Sequence, residues 1–123
     1  MYYDLLPRIK NAEAAGKSSV LAPFSKMDFA IAQVLSATGH IKDVQKKTVG
    51  KKNFLEIKLP NQNEIRGIKL VSKPGRHIYV DYRNIKAVKN GYGWGVYSTP
   101  KGILSNKDAR KQKIGGEYLF EIW

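Results

Sequence analysis

The sequence predicts an α+β fold of two small lobes, each a short, mostly antiparallel sheet with one or two helices. Three observations carry that expectation. Short apolar runs of strand character alternate with helical stripes, turn signals separate them at close intervals, and 123 residues accommodate one ordinary domain or two lobes of about 60 residues. A lobe of about 60 residues buries only about 60% of the surface its unfolded chain exposes, so each is expected to lean on the other or on a partner. The apolar fraction of 42%, with 7 Tyr, 4 Phe and 2 Trp, belongs to a chain with a core, not to a disordered one.

The first lobe is expected over residues 1–75. Leu5, Leu6, Ile9 and Ala12 recur at helical spacing across residues 4–15. Asp4 is the expected N-cap, which puts Pro7 in the first turn, where its missing N–H has no intrahelical role; Gly16 ends the helix. Residues 18–24 read as a short strand, and Pro23 either ends it or places it at a sheet edge. Ser25 opens the clearest helix, running to about Thr38. Asp28 holds the capping-box position, Met27, Ile31, Val34 and Leu35 form the apolar stripe, and Gly39 closes the element. Residues 41–49 and 53–59 read as strands joined by Gly50-Lys51-Lys52. After a polar break at Asn61 to Asn63, residues 65–71 form a further strand that stops at Lys73-Pro74-Gly75.

The second lobe is expected over residues 76–123. Residues 77–82 are strand-like, 83–90 are ambiguous, and the run from Gly91 to Gly95 reads as a flexible connection. Residues 95–99 form a strand and Pro100-Lys101-Gly102 a turn. Ser105 and Asp108 make a second capping box opening a short helix to about Lys113, Gly115-Gly116 ends it, and residues 117–123 alternate as a closing strand.

Charge narrows the function. Twenty-two Lys and Arg stand against 10 acids, for a formal net charge of +12. Residues 1–61 contribute +5 and residues 62–123 contribute +7, so the excess is no tail. A folded chain with this much like charge repels itself unless a polyanion is near, and a basic balance spread over a globular chain points to nucleic acid. The absence of Cys excludes a disulfide framework and thiolate metal sites. No run approaches the ~20 apolar residues of a membrane span, and the first residues lack the apolar run of a signal peptide, so a soluble, intracellular protein is expected.

Motifs of catalysis are weak. The glycines at 91, 93 and 95 do not make G-x-G-x-x-G, and no clear helix follows them. Ser98-Thr99-Pro100-Lys101 matches S-x-x-K, but that chemistry needs the Lys one helical turn beyond the Ser, and Pro100 and Gly102 favour a turn. His40 and His77 are the only histidines and lack the converging ligands of a metal site. The segment from Tyr97 to Lys113 is more informative. It carries Ser98, Thr99 and Ser105, small hydroxyls able to approach a nucleic acid closely. Lys101, Lys107, Arg110, Lys111 and Lys113 surround them with charge suited to phosphates.

At this segment a resemblance enters. Ser98-Thr99-Pro100-Lys101-Gly102-Ile103-Leu104-Ser105, then Asp108-Ala109-Arg110 and Gly115-Gly116-Glu117, resemble the C-terminal signature of the bacterial-type small-subunit ribosomal protein eight family. Arg8-Ile9-Lys10-Asn11-Ala12, Pro23-Phe24-Ser25-Lys26, and Lys73-Pro74-Gly75 with Ile78-Tyr79 resemble further elements of that family in the same order. The resemblance implies two α+β lobes and a structural constituent of the small ribosomal subunit, with no catalysis, cofactor or metal. Such a protein binds an irregular stem in the central domain of small-subunit ribosomal RNA and supports its assembly. The neighbouring small-subunit proteins are expected to include ribosomal protein five, and the expected location is the cytoplasmic small subunit, with an organellar ribosome left open. A free translational regulator using the same surface on a messenger-RNA stem is the alternative.

The resemblance also assigns residues. Ser98, Thr99 and Lys101 would meet the irregular RNA feature, Glu117 would accept hydrogen bonds from base or sugar, and Gly102 and Gly116 would permit close backbone approach. Tyr79 would stack on the RNA or hydrogen-bond a sugar, unless it belongs to the core; Arg8, Asn11 and Lys26 would contact phosphates. Three departures stand out. Pro100 replaces a serine and cannot donate. Arg76-His77 stands where Leu-Arg is usual, so the basic residue expected at the RNA is Arg76, one position earlier and on the opposite strand face. The first helix starts about one turn later than in the family.

Overall fold

The computed structural model describes residues 2–60, 65–88 and 93–123. The chain divides into two compact units, Met1–Ile65 and Arg66–Trp123. The division falls earlier than the expected 75/76, because the segment after Ile65 is tied to the end of the chain. Arg66 and Gly67 both donate their N–H groups to the Trp123 carbonyl (2.6 and 3.0 Å), and the next strand pairs with the last one. Mixed helices and antiparallel sheets make up both units, in agreement with the predicted class.

The first unit contains α1 (Tyr2–Ala14), β1 (Ser19–Pro23), α2 (Lys26–Thr38), β2 (Asp43–Val49) and β3 (Lys52–Lys58). The sheet order is β1-β3-β2, all antiparallel, so Pro23 does lie on an edge strand. Helix α1 starts at Tyr2, earlier than expected. Asp4 therefore sits inside the first turn and Pro7 in the helix body, on an exposed face. Ser25 caps α2 as the sequence predicts, its hydroxyl accepting from the Asp28 N–H at 3.0 Å, and Gly39 ends the helix in the left-handed region. The N–H groups of His40 and Ile41 still bond back to the Leu35 carbonyl, which delays β2 to Asp43. Leu5, Leu6, Ile9 and Ala12 of α1, Ile31, Ala32 and Leu35 of α2, and Leu55 and Ile57 of β3 are all buried. Glu13 is buried too, and its Oε1 accepts the Ile65 N–H at 2.9 Å, closing the unit at its last residue.

The second unit contains β4 (Ile68–Leu70), β5 (Tyr79–Val80), a 3-10 turn (Tyr82–Asn84), β6 (Trp94–Thr99), β7 (Gly102–Ser105), α3 (Asn106–Lys111) and β8 (Gly116–Ile122). The sheet runs β4-β8-β6-β7, with β5 also on β8. The expected strand over 77–82 shrinks to two residues, because Asp81 caps the 3-10 turn by accepting the Arg83 N–H. Of the glycine-rich run, Gly91 and Tyr92 lie outside the described residues, whereas Trp94 and Gly95 are strand. Ser105 caps α3 through the Asp108 N–H, as predicted.

One buried cluster of this unit gathers Ile85, Tyr97 and Ala109, with Val80, Tyr82, Leu104 and Tyr118 packed around them; Val96, Leu119, Phe120 and Ile122 are buried as well. The pairing of β6 with β8 slips between Val96 and Tyr97: Val96 faces Phe120 but Tyr97 faces Tyr118, leaving Leu119 as an extra residue. The two tyrosine rings stack at 4.4 Å, and the Tyr118 hydroxyl donates to Glu121 Oε1 at 2.6 Å. Burial pushes the Tyr97 hydroxyl up to about 12; the hydrogen bond with Tyr118 opposes this and the Glu121 charge adds to it. Burial and the Glu121 hydrogen bond push Tyr118 higher still. The folded chain thus keeps protons that the unfolded chain releases near pH 10, so native stability falls as pH rises from about 10 through 12. Absorbance titration of the folded protein is expected to show late-ionising tyrosines among the seven, and Tyr97→Phe to lessen the alkaline loss of stability. One common transition near pH 10 in the folded chain contradicts this.

Candidate nucleic-acid interface

At one end of the second unit's sheet, four strands come into register. Tyr79 of β5 faces Glu117 of β8, Glu117 faces Ser98 of β6, and Ser98 faces Ile103 of β7. Directly opposed residues of antiparallel strands point to one face with Cβ atoms about 4.5–5.5 Å apart. Tyr79, Glu117 and Ser98, residues far apart in sequence, therefore make a continuous row. Tyr79 is 73% exposed, which settles it as a surface aromatic and not core.

Next to the row lies the β6–β7 turn. The Thr99 hydroxyl donates to the Gly102 carbonyl at 2.7 Å and accepts the Lys101 N–H at 3.2 Å, so it closes the turn from within. Pro100 occupies a position where its fixed φ suits the turn and no donor is needed. Gly102 sits at φ +113, which a side chain resists. Lys101 is exposed at the tip. The S-x-x-K pattern is thus split between a strand and a turn, and no helix aligns its ends.

Gly116 has a definite structural use. A Cβ there would fall on the Ser98 carbonyl and lie 3.1 Å from Thr99 Cα. The close approach that its missing side chain permits is between β8 and the backbone carrying Ser98 and Thr99.

Two neighbours complete this end. The turn at Lys73–Arg76 is closed by reciprocal backbone hydrogen bonds of 2.9 Å, leaving Arg76 exposed. His77 follows it, and its Nδ1 lies 2.7 Å from Glu117 Oε2. From the sequence His77 is a capping, structural or RNA-contacting residue with no identifiable partner; the contact spans 40 residues and only the β5–β8 pairing reveals it. His40, by contrast, is buried with its Nδ1 2.7 Å from the Thr38 hydroxyl, a structural contact at the end of α2. Among the described residues no group of His, Cys, Asp and Glu is arranged to hold a metal, and no helix is long and apolar enough to cross a membrane.

The basic residues divide. Lys107, Arg110, Lys111 and Lys113 are all exposed, and the Lys107 ammonium lies 4.3 Å from the Trp94 ring centroid. Ser98, Thr99, Lys101, Gly102, Gly116, Glu117, Tyr79 and Arg76 all belong to the second unit. Arg8, Asn11 and Lys26 belong to the first and are exposed. Arg8 and Asn11 are three residues apart on α1, and Lys26 begins α2.

The family model described as ribosomal protein S8 matches residues 2–123. The chain belongs to the ribosomal protein S8 family. This is a family of structural ribosomal proteins and not of enzymes. The small ribosomal subunit protein uS8 of Kosmotoga olearia is 43% identical over 127 residues, covering 98% of this chain and 95% of that one. That of Persephonella marina is 44% identical over 129 residues, with 98% and 95% covered. That of Caldicellulosiruptor bescii is 43% identical over 124 residues, with 98% and 94% covered. Ser98 and Glu117, in the two segments that carried the resemblance, stand opposite each other on β6 and β8.

The geometry at Gly116 generates a prediction. Gly116→Ala is expected to destabilise the chain by about 1–3 kcal/mol, because the new methyl collides with backbone that cannot rotate away. Denaturant unfolding measures it; an unchanged midpoint would show that β6 and β8 can separate there at no cost.

Proposed function

We propose that this chain is a structural constituent of the small ribosomal subunit that binds an irregular stem in the central domain of small-subunit ribosomal RNA and supports its assembly there. The observation that carries the reading is the row of Tyr79, Glu117 and Ser98 beside the Thr99–Gly102 turn, on a chain of net charge +12. The relatives carry the name of a small-subunit protein over nearly their whole length.

The chemistry suits such a partner. A regular RNA duplex hides its base edges in a deep, narrow groove, so selection relies on irregular features, stacking and 2′-OH contacts. The exposed Tyr79 ring offers a stacking face or a hydroxyl for a sugar. Glu117 offers an acceptor that can receive base or sugar donors but repels phosphate. Ser98 offers a small hydroxyl that is both donor and acceptor. Lys101 and Arg76, both exposed beside the row, supply the phosphate attraction that holds these groups in contact. In the first unit, Arg8, Asn11 and Lys26 add backbone contacts that carry no sequence information. Neighbouring small-subunit proteins, ribosomal protein five among them, are the accompanying protein partners, and the cytoplasmic small subunit is the location.

Titration of the full chain with the ribosomal stem, the same stem without its irregular loop, and a plain duplex tests the reading at matched salt. The intact stem is expected to bind well above the other two; equal binding to all three would refute it. Lys101→Ala is expected to weaken binding and to lower the magnitude of the salt slope by about 0.7–0.9, the value for one neutralised phosphate. An unchanged slope would remove Lys101 from the phosphate contacts.

A further inference from the structure

We infer that His77 is a positioning residue for RNA recognition. Its ring N–H commits one oxygen of the Glu117 carboxylate to the protein and aims the other at a donor on the RNA. The inference rests on the proposed contact between Glu117 and RNA and adds a residue to it.

The geometry begins in the backbone. The buried Ser72 hydroxyl donates to the Tyr118 carbonyl at 2.6 Å and accepts the Ile78 N–H at 3.0 Å. The Tyr118 N–H in turn donates to the Ile78 carbonyl at 2.8 Å. These bonds clamp Ile78 against Tyr118, and the residues immediately before them are His77 and Glu117. The two side chains are thereby brought together on backbone that is fixed at both positions. Their separation of 2.7 Å is that of a charge-assisted hydrogen bond. A carboxylate only accepts, so Nδ1 carries the proton in this contact and Oε2 receives it.

The exposures of the two partners differ. The Glu117 side chain is 18% exposed and that of His77 52%. A hydrogen bond this open on one side contributes little to folding, so stability alone gives it a small role. Its effect on recognition is larger. An unrestrained glutamate on a surface that meets a polyanion would turn away from phosphates, and its rotational freedom would have to be lost on binding. With Oε2 held by His77 and Glu117 standing in register between Tyr79 and Ser98, Oε1 is left for a base amino group or a sugar hydroxyl as the complementary donor. His77 stands where the family pattern has a basic residue, and imidazole retains the one feature the contact requires, a ring N–H directed at the carboxylate.

The test uses the full chain and the ribosomal stem. His77→Ala is expected to weaken stem binding about tenfold, the scale of one charge-assisted hydrogen bond, while the thermal midpoint stays near that of the parent. His77→Asn places an amide N–H close to where Nδ1 lies and is expected to restore affinity to within about threefold of the parent. In a Glu117→Ala background, His77→Ala is expected to cost nothing more. Equal losses for His77→Ala and His77→Asn would overturn the inference, as would a full His77→Ala effect without Glu117, which would mean that His77 touches RNA directly. If the parent chain binds the stem but Glu117→Ala is silent, the inference fails at Glu117. If the parent does not bind the stem at all, it is the functional reading that fails.

Discussion

Strand β8 is the constraint on which the second unit depends, because it hydrogen-bonds three other strands at once. Its end nearer the C-terminus pairs with β4, its beginning with β5, and its opposite edge with β6. Against β6 its register changes once, at the extra residue Leu119. The Leu119 carbonyl, freed from the regular ladder, accepts the N–H groups of both Val71 and Ser72 at 3.1 and 3.2 Å. The same slip brings Tyr118 opposite Tyr97 and lets the two rings stack. At the other end, Gly115 and Gly116 have no side chains to hold the strand away from Val80 and Ser98. The row formed by Tyr79, Glu117 and Ser98 follows from these backbone contacts and needs no side-chain adjustment of its own.

In the proposed reading, charge and shape divide the work of recognition. Exposed ion pairs such as Lys47–Glu56 at 3.3 Å and Arg83–Asp81 at 3.8 Å are worth little to stability, and they leave most of the positive charge uncompensated. That charge acts over about 10 Å at ordinary salt and attracts any polyanion without choosing among them. Choice requires contacts at hydrogen-bond distance from groups whose positions are fixed. In the second unit the groups proposed for that role lie on paired strands and a closed turn, held by the hydrogen bonds of both.

What could be read from the sequence depended on range. The helix caps at Ser25 and Ser105 are local chemistry, decided within four residues, and both stand where they were expected. The β2–β3 hairpin and the alternating last strand are also local patterns, and Pro23 announced an edge strand. The division of the chain was not legible, because the turn signal at Lys73-Pro74-Gly75 is strong while the bonds from Arg66 and Gly67 to Trp123 leave no local trace. The strand over 77–82 looked longer than it is, since apolar alternation cannot foresee Asp81 capping a 3-10 turn. Of the candidate interface, the residue types around Ser98 and Glu117 were visible. Their alignment with Tyr79, the His77 contact and the Ser72 clamp all depend on pairings between distant segments.

The structure also gives a physical account of two departures from the family pattern. The serine replaced by Pro100 would stand in a turn that Thr99 already closes with its own hydroxyl. Proline there loses a donor but stiffens a loop whose geometry it suits, so the loop is better defined before any partner arrives. With the Thr99 hydroxyl engaged inside the turn and Pro100 unable to donate, the proposed reading assigns hydrogen-bond selection at this edge to Ser98 and Glu117, with Lys101 adding charge. The shift at Arg76-His77 then has a consequence of its own. Arg76 keeps a cation in the exposed turn, and His77 falls beside the carboxylate. The two changes act on the same small surface: one removes a hydrogen-bonding group, and the other steadies a group that remains.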